Sequence, residues 1–388
     1  MRVLIAFDKF KDALTARQAC DAAARALRTK HPGWELDLCP LTDGGEGFCE
    51  TLTQAVGGRL DWLEVSGPRY GTVSASTGMA LWSTVLEPAR QRLHSSLTAG
   101  HLPLPDQGLL AVIELASASG LELLPPEQRD PWHTTTRGTG EQLRSAGAAG
   151  ATAILLGLGG SATNDLGLGA LAALGFRFFD AAGESVAGPT PATWDRIQRI
   201  DGSGATSLPP VFIACDVINP LLGPQGATAT FGPQKGLKPG DVPRLEAQMA
   251  RMAALLCAAC GQPLSLAETP GAGAAGGIGF GLMVACGAKL VPGFELVSDW
   301  LDLDARLARA DLVITGEGRF DATSLGGKGP GRLLAGARRL GKPGHVFSGS
   351  LGLPESNELH PITPAGMPLA DALRRSAELL GAAVARTF

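Results

Sequence analysis

A chain of 388 residues that is 45% apolar and 18% charged has too much core-forming sequence for a disordered protein, and too much length for one ordinary core. Its formal net charge is −4 and it has no Lys/Arg run, which argues against nucleic acid or an anionic membrane as partner. Seven cysteines, an odd count with no export signal at the start of the sequence, point to reduced thiols and a cytoplasmic protein.

The first elements read as βαβαβ. Residues 3–6 form a short apolar strand, followed at once by Asp8, Lys9, Lys11 and Asp12. Thr15 caps a helix that runs to about Lys30. Residues 34–38 are a second strand, leading into Pro40-Leu-Thr-Asp-Gly-Gly-Glu-Gly47 and a helix through Val56. Residues 59–65 are a third strand, so this opening reads as the start of a doubly wound sheet.

The pattern then changes. Residues 72–86 alternate like antiparallel strands, and 91–107 read as a polar, Pro-bearing surface loop. After a strand at 111–115, Thr134-Thr-Thr-Arg-Gly-Thr-Gly140 leads into a helix from Glu141. Residues 151–156 form a buried strand that ends in Gly157-Leu-Gly-Gly-Ser-Ala-Thr-Asn-Asp165, with an apolar helix after it. A strand at 211–214 ends in Cys215-Asp216 and Asn219-Pro220. The loop Phe231-Gly-Pro-Gln-Lys-Gly236 precedes a long helix, and Pro270 to Gly279 is a glycine-rich loop before another. From about Phe294 the α/β rhythm returns, with Gly316-Glu-Gly-Arg-Phe-Asp321 and Ser348-Gly-Ser350 after strands and a closing helix at 369–387. The fold class expected is α/β with two domains. A Rossmann-like parallel-sheet domain is made from 1–68 and 292–388, and a second α/β domain, 69–291, is inserted into it.

In an open parallel sheet, ligands bind outside the carboxyl ends of the strands. Asp8/Lys9/Lys11, Asp43/Glu46, Glu317/Asp321 and Ser348/Ser350 all fall at such ends, and four polar clusters on one rim suit a ligand better than four turns do. Three of them bear carboxylates suited to a hard cation such as Mg²⁺. The inserted domain offers a second set: 134–140, 159–165, Asp216/Asn219, Gln234/Lys235 and the 271–279 loop, pictured as facing the first across a cleft. No GxxxxGK[ST] loop and no His cluster with ligand spacing is present; His133 reads as structural, and Cys257-Ala-Ala-Cys260 is a lone CxxC. A rival reading is open. Gly157-x-Gly159-x-x-Ala162 fits the dinucleotide fingerprint, with Asp180 some twenty residues on, and would serve an NAD-dependent dehydrogenase of a small hydroxy acid.

The residues resemble the type I glycerate kinases over nearly the whole chain. Asp8-Lys-Phe-Lys11, Asp43-Gly-Gly-Glu-Gly47, Thr135-Thr-Arg-Gly-Thr-Gly-Glu141, Gly157 to Asp165, Ala214-Cys-Asp-Val217 with Asn219-Pro220, Phe231 to Gly236, Pro270 to Gly277 and Val313-Ile-Thr-Gly-Glu-Gly-Arg319 with Asp321 stand in the family's order. The sequence departs from the common pattern at Phe7, Asp12-Ala13, Phe48 and Leu166, where family members commonly carry Pro, Gly-Ser or Gly-Thr, Thr and Gly.

The resemblance implies transfer of the γ-phosphoryl group of ATP to D-glycerate, with Mg²⁺, the product usually being the 2-phosphate; a homodimer is left open. On this reading Lys11 neutralises charge on the transferred group, and Asp165 or Asp216 orients or deprotonates the attacking hydroxyl. Arg137 or Lys235 holds the substrate carboxylate, with Asp8, Ser161 and Asn164 beside it. Gly159, Gly160, Gly273, Gly276, Gly316 and Ser348 contact the nucleotide, and Asp43, Glu46 and Glu317 hold the metal.

Overall fold

The computed structural model describes residues 1–97, 107–325 and 329–388. In chain order its strands are β1 (Arg2–Phe7), β2 (Glu35–Leu38), β3 (Arg59–Ser66), β4 (Thr72–Leu81), β5 (Leu109–Glu114), β6 (Ala151–Gly157) and β7 (Arg177–Phe179). They continue as β8 (Arg199–Asp201), β9 (Val211–Ala214), β10 (Lys289–Val291), β11 (Leu312–Phe320), β12 (Gly344–Leu351) and β13 (Leu359–Pro361). The chain forms two compact units, Met1–Asp43 with Val297–Phe388, and Gly44–Leu296.

The first unit is built on a parallel sheet in the order β13-β12-β11-β1-β2. β1 is a continuous apolar run because both of its faces are covered, which is what an inner strand of a parallel sheet requires. On one face Val3, Ile5 and Phe7 pack with Ala19 and Ala23 of the helix Ala16–Lys30 and with Leu380 and Val384 of the helix Ser376–Thr387. Alanines four apart let the first helix lie close to the sheet. That helix starts in a capping box: Thr15 Oγ1 accepts the Gln18 N–H at 3.2 Å, and the Gln18 side chain accepts the Thr15 N–H at 2.9 Å.

The second unit holds a mixed sheet in the order β10-β9-β6-β5-β4-β3, parallel from β10 to β5 and antiparallel beyond. Its core joins β5, β6 and β9 to the helices Arg137–Ala148, Val242–Cys260 and Ile278–Cys286, with Leu143, Ile154, Leu156, Met249 and Met252 fully buried.

The strand at Arg59–Ser66, expected in the first sheet, is an edge of the second. It pairs with β4 along its whole length, from Arg59↔Met79 to Ser66↔Thr72. A hairpin partner only a few residues away costs little chain entropy, whereas a parallel partner in the first sheet needs a crossover, so the local pairing wins. The first unit accordingly ends at Asp43 and not at residue 68, and resumes at Val297. Of the polar stretch 91–107, Gln91 to Ser95 complete the helix Glu87–Ser95, and 98–106 lie outside the described residues. Among the described residues no helix is long and apolar enough to cross a membrane.

Candidate active site

The carboxyl edge of the first unit's sheet carries a pocket of about 480 Å³. Each of its strands contributes. Asp8 follows β1, Asp43 follows β2, Glu317 lies late in β11, Ser350 late in β12 and Thr363 just past β13. Lys9 and Lys11 also line it, as do the apolar side chains of Met367, Leu369 and Leu373. The Lys9 N–H donates to Asp8 Oδ1 at 2.7 Å. Burial pushes the Asp8 carboxyl up to about 7, and repulsion from Asp43 and Glu317 adds to the rise. The sequence named most of the charged residues; the lining at 363–373 carries no motif and went unread.

Other residues expected on this rim do different work. Ser348 is fully buried; its hydroxyl accepts the Phe320 N–H at 3.1 Å and donates to the Ser350 carbonyl. Gly316 is required by the sheet itself, because a Cβ there would strike the Phe347 carbonyl on β12. Asp321 caps its own turn, accepting from the Thr323 N–H and hydroxyl and pairing with Arg319. Of the expected metal set, Asp43 and Glu317 line the pocket with Asp8, while Glu46 belongs to the second unit. Among the described residues no group of three His, Cys, Asp or Glu is arranged to hold a metal by itself.

Several polar side chains of the second unit's loops are sealed. Asp165, expected as a base, is fully buried, and its carboxylate accepts four hydrogen bonds. The Thr136 N–H and hydroxyl donate at 2.7 and 2.9 Å, and the Gly167 and Gly169 N–H groups at 3.1 and 3.2 Å. Burial raises its pKa against those bonds. A carboxylate with no route to solvent and a full shell of donors fixes loops together; the base reading does not fit it. Lys235, expected to grip the substrate carboxylate, is 1% exposed and donates to the Thr163 carbonyl at 2.6 Å. Burial pushes its pKa down to about 7, with Asp165 acting in the opposite sense. Asn164 is also fully buried, its amide donating to Thr228 Oγ1 at 3.3 Å.

The glycines of these loops serve backbone contact. Gly159 donates its N–H to the Gly44 carbonyl at 2.8 Å, and a Cβ on it would fall 2.5 Å from Gly45 Cα. A Cβ on Gly160 would strike the Glu46 carboxylate, and one on Gly273 the Pro220 carbonyl. Gly276 sits at φ +71, its carbonyl accepting the Leu166 N–H at 3.0 Å, and a Cβ there would strike the Thr163 carbonyl. Of the four glycines expected to cradle a nucleotide, 159, 273 and 276 thus lie against backbone, while Gly160 is exposed and meets the end of the Glu46 side chain. The dinucleotide reading falls with them. The helix after Gly157-x-Gly159-x-x-Ala162 starts only at Leu168, so no helix N-terminus faces the fingerprint, and Asp180 Oδ1 is occupied by the N–H groups of Ala182 and Glu184.

Three expected residues of this unit remain partly open or at the edge of the core. Asp216 stands at the carboxyl end of β9, partly exposed, with Oδ1 accepting the Phe294 N–H at 3.0 Å. Arg137 begins the helix Arg137–Ala148, earlier than the expected Glu141, and its side chain is 39% exposed while pairing with Glu141 at 3.0 Å. Ser161, 8% exposed, forms a lone bridge with Gly120. Tyr70, the chain's single tyrosine, was not foreseen. It is held at φ +64, and its phenol is raised by burial with the Thr135 hydroxyl countering. His133 pairs with Asp130 at 2.7 Å, and none of the seven cysteines, all among the described residues, is in a disulfide.

A profile described as the glycerate kinase family matches residues 3–388. The chain is 37% identical to the glycerate kinase of Bacillus subtilis (strain 168), over 98% of this chain and 95% of that protein. It is 38% identical to the glycerate 2-kinase of Escherichia coli (strain K12), over 90% of this chain and 86% of that protein. A crystal structure from Salmonella typhimurium LT2, of a protein described as a glycerate kinase 2, superposes with a TM-score of 0.76 and 38% identity. It covers 100% of this chain and 96% of that one.

Proposed function

Because this chain belongs to the glycerate kinase family and is a kinase, we propose that it phosphorylates D-glycerate with ATP and Mg²⁺, giving 2-phosphoglycerate and ADP. The observation that carries this reading is the charge pattern of the first unit's pocket. Asp8, Asp43 and Glu317 line it together with Lys9 and Lys11. Lysines supply the positive charge a polyphosphate needs, and carboxylates that repel one another are relieved by a cation among them. Mg²⁺ is ordinarily held by one or two carboxylates plus phosphate oxygens, so a set that is incomplete without the nucleotide suits it. Bound by these carboxylates, it would shield the phosphate oxygens and stabilise charge on the transferred group.

The chain's own residues divide the remaining work. Lys11, exposed at the pocket, neutralises phosphoryl charge. Asp216 is the better of the two carboxylates for orienting the attacking hydroxyl, since Asp165 is sealed. Arg137 is the better cation for the glycerate carboxylate, since Lys235 is buried against a carbonyl. The 2-position follows the name of the Escherichia coli relative. Cysteines held as thiols suit the reducing cytoplasm.

A coupled ADP-release assay with ATP, Mg²⁺ and D-glycerate, with the product resolved by ³¹P NMR, tests the proposal. ADP release that depends on glycerate, with phosphorus coupled to the proton on C2, is the expected result. Release with coupling to the C3 protons overturns the position, and silence from folded protein overturns the substrate.

A further inference from the structure

Resting on the reading of Arg137 as the cation for the glycerate carboxylate, the inference concerns what holds that arginine in place. The turn between β3 and β4 reaches it by two routes. At the end of β3 the Ser66 N–H and hydroxyl donate to the Glu141 carboxylate at 2.7 and 3.1 Å, and the same Glu141 Oε1 that takes the hydroxyl accepts Arg137 Nε at 3.0 Å. In the turn itself the Pro68 carbonyl accepts the Thr135 N–H at 2.9 Å, and the Thr135 hydroxyl accepts the Arg137 N–H at 3.2 Å. The two segments leave no gap, since a Cβ on Gly138 would fall 1.9 Å from the Ser66 carbonyl.

The turn closes with the Tyr70 N–H on the Gly67 carbonyl at 3.0 Å and puts residue 70 at φ +64. Glycine or asparagine fills such a place at little cost, and a bulky aromatic residue there is strained. The turn has no use for the side chain, which is 46% exposed and so adds little to the core; its reason lies in what the phenol reaches. A Cβ on Gly188 would fall 2.7 Å from the phenol oxygen, so that glycine, at φ +63, leaves the phenol its seat. The Thr135 hydroxyl hydrogen-bonds the phenol, and the charges of Asp165 and Arg137 act on it. We propose that Tyr70 is a positioning residue for the substrate carboxylate, its phenol fixing Thr135 and with it the backbone that carries Arg137. An arginine held by both routes loses less freedom when its guanidinium meets an anion, and the anion is bound more tightly for it.

The test uses Tyr70→Phe, which removes the hydroxyl alone, in steady-state kinetics and in calorimetry with D-glycerate. The expected result is a KM for D-glycerate raised about fivefold with a matching loss of D-glycerate affinity, while kcat, KM for ATP and melting temperature stay those of the parent. Tyr70→Gly, which suits the left-handed backbone and deletes the ring, should raise KM for D-glycerate as much with no loss of melting temperature. As the chain's single tyrosine, Tyr70 also reports directly: its phenolate absorbance should appear at higher pH once D-glycerate is bound, because an added anion disfavours the charged phenol. An unchanged KM for D-glycerate in Tyr70→Phe, from a parent that turns over, overturns the role of Tyr70 and leaves the kinase reading intact. In a parent that releases no ADP with glycerate, a phenol titration that moves with D-glycerate keeps Tyr70 at a carboxylate site and overturns phosphoryl transfer alone; one that does not move overturns both.

Discussion

The first unit's rim and the second unit's loops are written in the same alphabet of Gly, Asp, Lys, Ser and Thr, yet the two regions do opposite things with it. At the rim, Asp8, Asp43 and Glu317 line one pocket together with Lys9 and Lys11, and burial with repulsion from Asp43 raises the Asp8 carboxyl. In the loops, Asp165 is fully buried with four donors around it, and Lys235 is buried on a carbonyl. A charged cluster lining an open pocket is placed to meet something that is added; one whose groups are buried on one another is placed to hold a fold. The glycines do not divide in this way: Gly316 at the rim meets the Phe347 carbonyl where a side chain would go, as Gly159, Gly273 and Gly276 meet backbone in the loops.

The largest effect that would break this comparison is at Gly276. Gly276→Ala forces a Cβ onto the Thr163 carbonyl at φ +71, and denaturant unfolding should show a loss of about 3 kcal/mol or more. A stable variant that has lost only nucleotide binding would put this loop back among the ligand contacts. Asp165→Asn replaces one acceptor oxygen with a donor amide inside a fully donating shell, and should cost about 2 kcal/mol. Turnover per folded molecule should fall less than tenfold; a hundredfold fall at unchanged stability would make Asp165 the base.

Lys235 gives a test by pH. Its folded pKa, about 7, lies below that of the unfolded chain, so the unfolded state binds more protons between there and the ordinary lysine value. This group therefore makes stability rise as pH climbs from 7 toward 10. Lys235→Met removes that slope, and the gap between the melting temperatures of parent and variant should change steadily across the window. A gap that stays constant with pH would mean that Lys235 is not sealed. The smallest effect is at Asp12, exposed and at φ +60, where relatives of the resembled family commonly carry glycine. Asp tolerates this region better than most residues, so Asp12→Gly should move stability by no more than about 1 kcal/mol in either direction.

Leu166 shows the same backbone demand answered inside the core. It sits at φ +56 and is fully buried, where glycine is the common family residue. A leucine in this region is strained by about 1–3 kcal/mol. Its side chain lies against Gly277 within the second unit's core, which offsets that cost. Both departures were visible as letters; that each marks a left-handed backbone was not.

By itself the sequence determined the buried strands and their neighbours. Runs such as Val3 to Phe7 and Ile154 to Leu156 have no polar face to offer, so they must lie inside a covered parallel sheet, and the polar residues that follow them must emerge at its carboxyl edge. That rule placed Asp8, Lys9, Lys11, Asp43, Glu317 and Ser350 on one rim. Only the tertiary structure decided which sheet received Arg59–Ser66, which carboxylates were sealed and which stayed beside space, and that Met367, Leu369 and Leu373 line the same pocket as Lys9 and Lys11. The physical reason is that burial, and with it the worth of a charge or the need for a glycine, belongs to what the rest of the chain brings alongside, and a local string of residues does not carry it.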